Sequence, residues 1–197
     1  MRESMNVDPN GAPLGPPLRE RLNLFALVSY VPDPLGRFLD DLRRELVPHD
    51  NPRAHVSILP PRPLMVDWSV ASREVRALTD LATPFDIELL EVKVFPVTDV
   101  IYLELGSGAS ELRSLHNAMC QGALEFREPF SYHPHLTLAQ EIAPQDVEAT
   151  RATAVRRWHE YRGARRFRVE RVVLVQNTLN GCWIDLAEYS LGAVTVR

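Results

Sequence analysis

The sequence predicts an α+β fold built from antiparallel sheets. Strand-like and helix-like segments follow one another in the order β-α-β-α-β-β-α-β-α-β-β. Short turns join neighbouring strands, which favours antiparallel pairing over a doubly wound parallel sheet. A block of short strand, helix and hairpin over residues 54–105 also recurs over residues 135–189.

Each element has a local reason. Residues 22–31 are apolar and β-friendly, a buried strand. Asp33-Pro34 reads as a helix start, and Leu35, Phe38, Leu39, Leu42 and Leu46 hold helical spacing to Val47. Residues 54–59 form a short strand closed by Pro60, Pro61 and Pro63. Asp67 caps a second helix, with Val70, Val75, Leu78 and Leu81 on its apolar side. Strands over 85–95 and 100–105 flank a turn containing Pro96 and Asp99. A third helix spans 109–124, a short strand 135–139 and a fourth helix 144–161. The last two strands, 166–176 and 182–189, flank Asn180-Gly181, a strong hairpin signal.

Composition removes several classes. Of 197 residues, 45% are hydrophobic and 24% charged, too apolar for a disordered chain. With 22 basic against 26 acidic residues, the chain is too acidic for a nucleic-acid coat protein. Lys93 is the only lysine, so the positive charge is almost all arginine. Residues 1–20 hold many prolines and glycines and no apolar h-region, so a flexible leader is expected before a single domain over 21–197. Cys120 and Cys182 fit neither a disulfide framework nor a zinc spacing and are expected as buried thiols. No apolar run reaches the roughly 18 residues of a membrane span. A cytoplasmic monomer without a cofactor is the expectation.

The chemistry lies in two short strands. His55-Val56-Ser57-Ile58 and His135-Leu136-Thr137-Leu138 repeat one pattern. Strand residues i and i+2 share a face, so each strand presents an imidazole beside a hydroxyl and buries the apolar pair. Imidazole titrates near neutrality, and two of them can divide the work of base and acid. The hydroxyls can donate to phosphate oxygens.

These paired motifs, and above all the stretch from Tyr132-His133-Pro134 through His135-Leu136-Thr137-Leu138-Ala139, resemble the 2H phosphoesterase superfamily. The most similar branch is the bacterial 2'-5' RNA ligase / RNA 2',3'-cyclic phosphodiesterase type. The resemblance implies a bilobal fold. Two antiparallel sheets would face a central groove, with helices outside and a pseudo-twofold repeat. It implies metal-independent catalysis by His55 and His135, with Ser57 and Thr137 holding phosphate. The implied substrates are 2',3'-cyclic phosphate ends of RNA or small nucleotides, or 2'-5' linkages that are cleaved or joined. The sequence departs from the family at Ser57, where threonine is commoner, at Ala54, and at Gln140, where a basic residue is frequent. A non-catalytic RNA- or nucleotide-binding module with the same fold is the alternative.

Secondary candidates surround the motifs. Arg53 and Arg62 are candidate phosphate ligands. Phe130 and Tyr132 are candidate base-stacking residues. His133 lies two residues before His135, but no third zinc ligand is evident, so no metal is expected. His49, His116 and His159 belong to no motif. Arginines at 151, 156, 157, 162, 165, 166, 168 and 171 form a basic stretch able to steer an RNA backbone.

Overall fold

The computed structural model describes residues 20–48 and 53–192. All but the last residue of the expected leader, and residues 193–197, lie outside them. The elements in chain order are β1 (Arg21–Tyr30), α1 (Leu35–Leu46), β2 (His55–Arg62), α2 (Trp68–Leu81), β3 (Phe85–Val94), β4 (Ile101–Leu105), α3 (Ala109–Met119), β5 (His135–Ala139), α4 (Val147–Glu160), β6 (Arg166–Val169), β7 (Arg171–Thr178) and β8 (Trp183–Ser190).

The strands form two four-stranded antiparallel sheets, ordered β2-β1-β7-β8 and β5-β4-β3-β6. The fold is α+β and bilobal. The motif strands β2 and β5 occupy corresponding edges and pack against each other where the two sheets meet. Helix packing follows the same exchange: α1 packs on β5, and α3 packs on β2. One apolar core joins both lobes. Leu35, Leu39 and Leu42 of α1 belong to it, as do Leu112, Leu115 and Met119 of α3, Val56 and Ile58 of β2, and Leu136 and Leu138 of β5.

Four details depart from the sequence reading. The strand expected over 166–176 is two strands. β6 pairs with β3 and β7 with β1 and β8, so the chain crosses from one sheet to the other at Glu170. Glu170 and Arg171 are both exposed, so the alternation of β6 breaks at the crossing, and β7 beyond it is buried on both faces. The strand expected to stop at Leu59 runs on through Pro60 and Pro61 to Arg62. An edge strand tolerates proline because one of its sides needs no ladder donor. The third helix ends at Met119, and Gly122–Leu124 form a separate 3-10 turn. The repeat also starts one strand earlier than expected. By sheet position β1 matches β4 and β2 matches β5, while β3 and β7 each enter the sheet of the other half.

The β7–β8 hairpin turns where Asn180-Gly181 predicts. Gly181 sits at φ +77°, a left-handed conformation that suits glycine. Among the described residues, no helix is long and apolar enough to cross a membrane.

Candidate active site

The two motif strands share one burial pattern. Val56 and Ile58 on β2, and Leu136 and Leu138 on β5, are fully buried. His55, Ser57, His135 and Thr137 are half-buried on the opposite faces. The imidazoles are also held alike. His55 Nδ1 lies 2.7 Å from the Arg53 carbonyl oxygen, and His135 Nδ1 lies 2.6 Å from the His133 carbonyl oxygen. A carbonyl only accepts, so each Nδ1 carries the proton. In the neutral ring, Nε2 is then the basic nitrogen.

The two histidines have different surroundings. Opposite His55 stands Tyr30, its ring edge-on at 6.4 Å between centroids. The Tyr30 hydroxyl donates to Asp185 of β8 at 2.6 Å, and Arg53 lies 3.4 Å over the Tyr30 ring while pairing with Asp185 at 3.1 Å. Burial, reinforced by Asp185, raises the Tyr30 hydroxyl above its ordinary range, so it stays protonated.

His135 lies among aromatic rings. Phe95 and Tyr102 stack on each other at 4.0 Å and present edges to His135 at 5.0 and 5.4 Å. Glu104 stands opposite His135 on β4 and binds His133 Nε2 and Lys93 Nζ, each at 3.1 Å. Burial lowers the His135 pKa below the ordinary histidine value, partly offset by its backbone hydrogen bond. Within the protein, His135 is therefore biased toward the neutral base.

Among the expected ligands, Arg53 is exposed and stands beside His55 through Tyr30. Phe130 is 60% exposed in the segment before β5. Arg62 is placed elsewhere. It is 1% exposed, ion-paired with Glu128, and donates to the carbonyls of Leu124 at 2.9 Å and Pro60 at 3.0 Å. The register is the reason: Arg62 stands opposite Phe25 of β1, whose side chain belongs to the shared core. Tyr132 is not a free stacking platform either. Its ring lies against His116 at 3.8 Å, and its hydroxyl donates to the Ser57 carbonyl at 2.6 Å.

His116, Cys120 and Glu128 bring ligand-type atoms within 4.8 Å of one another. The Arg62 guanidinium bonds both Glu128 and the Cys120 sulfur, so an internal cation already neutralises this group. Cys120 and Cys182 are half-buried, not fully buried as expected. The arginine stretch is largely engaged. Arg151 pairs with Glu148, Arg156 with Glu160, Arg157 with Glu45 and Glu160, Arg168 with Asp86 and Glu170, and Arg171 with Glu188. Sequence reasoning missed Tyr30, Asp185, Phe95, Tyr102 and Glu104. It singled out Lys93 as the sole lysine but gave it no place beside the motif.

Known proteins are similar to this chain in sequence and in fold. A phosphoesterase-named protein of Bacillus licheniformis, the name provisional, is 27% identical over 122 residues, covering 61% of this chain and 69% of the relative. E. coli LigT, solved with NADP+, superposes with a TM-score of 0.59 at 16% identity, covering 88% of this chain and 98% of LigT. A Thermus thermophilus structure gives a TM-score of 0.56 at 18% identity, covering 86% of this chain and 98% of the other. A family model for the 2'-5' RNA ligase superfamily matches residues 31–181, and the chain belongs to that superfamily.

Proposed function

We propose that this protein is a phosphoesterase that opens 2',3'-cyclic phosphates, at RNA ends or on small nucleotides, by two-histidine acid–base catalysis. Cleavage or joining of 2'-5' linkages would use the same groups. One observation carries the reading. Two motif strands meet at the sheet edges, each turning an imidazole and a hydroxyl outward, with each Nδ1 tied to a carbonyl.

The burial of His135 supports one assignment of the roles. His135, kept neutral by burial, takes a proton from the attacking water through Nε2. The water oxygen bonds to phosphorus, and the bond from phosphorus to the 3' oxygen breaks. Protonated His55 gives its Nε2 proton to that oxygen, leaving a 2'-phosphate. The Ser57 and Thr137 hydroxyls donate to the non-bridging oxygens as charge builds on them.

A compact substrate suits the charge pattern. The arginine stretch expected to steer RNA is mostly ion-paired with neighbouring acids. LigT has been solved with 3'-AMP and with NADP+, which favours a nucleotide-sized ligand for this chain as well.

The test is hydrolysis of 2',3'-cyclic nucleotides by purified wild type, His55→Ala and His135→Ala. Each substitution should cost about 10²–10⁴-fold in rate, with circular dichroism unchanged. Wild-type activity should survive EDTA. Full activity in either folded variant would overturn the reading.

A further inference from the structure

We propose that Tyr132 is a positioning residue that fixes the two motif strands relative to each other. The inference rests on the reading that β2 and β5 build one active site. Tyr132 lies three residues before His135, yet its hydroxyl donates to the carbonyl of Ser57, 75 residues away on β2. The bond is 2.6 Å long and joins the approach to one motif directly to the backbone of the other.

The Tyr132 ring is itself held. It lies on the His116 imidazole of α3 at 3.8 Å and 2° from parallel. His116 Nδ1 in turn donates to the Ile58 carbonyl at 2.9 Å. Two stacked rings therefore grip two successive carbonyls of β2. The strand is irregular at this point. Leu27 opposes Leu59 and Val28 opposes Ser57, so Ile58 has no partner across β1. A bulge of this kind disrupts the regular ladder. The side chains of Tyr132 and His116 bond the backbone there.

Arg62 completes the fastening. From the end of β2 it bonds Glu128, the Leu124 carbonyl and the Cys120 sulfur, all in the segment leading from α3 to β5. α3 and that segment are therefore tied to β2 at Ser57, Ile58 and Arg62 before the chain reaches His135. Burial, with Glu128 nearby, raises the Tyr132 hydroxyl above its ordinary range, so the donor persists across working pH.

A displaced catalytic group costs rate more than affinity. A misplacement of about 1 Å can cost on the order of 100-fold. Tyr132→Phe removes the tie and keeps the ring on His116. It should lower kcat for a 2',3'-cyclic nucleotide about tenfold and leave KM within about twofold, because only part of that displacement is expected. In isotope-labelled protein, the ring signals of both His55 and His135 should shift. A kcat within twofold of wild type, with both histidine signals unmoved, would overturn the proposal. If wild type hydrolyses no cyclic phosphate, the reading of function fails. The histidine signals then decide this inference separately: a shift in both upholds the tie, and unmoved signals refute it.

Discussion

His55 and His135 both carry a proton at Nδ1, and burial sets the thermodynamics of His135. Burial depresses His135, so protonating it is harder in the folded protein than in the unfolded chain. The unfolded chain then binds more protons as pH falls through about 6.5, the ordinary histidine value. The stability His135 contributes is present above that pH and is lost as pH falls toward its own lower value. Urea unfolding at pH 7.5 and pH 5 should therefore show a smaller loss on acidification in His135→Gln than in wild type. An equal loss would mean that burial does not penalise the His135 cation. The tautomers themselves were not legible in the sequence, since they depend on where backbone carbonyls fall.

At the scale of elements, β2 does two jobs with its two faces. His55 and Ser57 are half-buried on one face, while Arg62, opposite Phe25 of the core, anchors the strand from within. Removing one partner of a buried ion pair leaves the other charge uncompensated, at a cost of about 3–5 kcal/mol. Arg62→Leu should lose stability of that order in urea unfolding. A loss below about 1 kcal/mol would place Arg62 with ordinary surface pairs. The face of Arg62 was not readable from period-2 alternation, because β2 shifts register twice between Ser57 and Arg62. Its proximity to the motif drew attention to phosphate instead. The Tyr132–Ser57 bond was not readable, because its partners are remote in sequence and no local pattern joins them. The crossing at Glu170 did leave a signal: the adjacent charged residues Glu170 and Arg171 interrupt the apolar alternation, and the residues after them are apolar on both faces.

At the scale of the whole molecule, the repeat places one motif strand at the edge of each sheet and brings the two edges together. The two motifs, the hairpins and the α+β order were legible because they follow from periods of 2 and 3.6 residues and from turn chemistry. The exchange of β3 and β7 between halves was not, since strand order depends on partners distant in sequence. Charge is arranged at this scale too. With the arginine stretch largely paired to acids, binding should release few counterions. The logarithm of KM for a short RNA carrying a cyclic end should rise with log salt at a slope of about 1–2, the value for one or two phosphate contacts. A slope above about 4 would show an extended RNA track.

The pH dependence of cyclic-phosphate hydrolysis tests the central claim most directly. If one histidine works as base and the other as acid, kcat/KM for a 2',3'-cyclic nucleotide is bell-shaped in pH. Its acid limb falls below about 6.5, where the depressed His135 gains its proton. A profile flat from pH 5 to pH 9 would contradict the account.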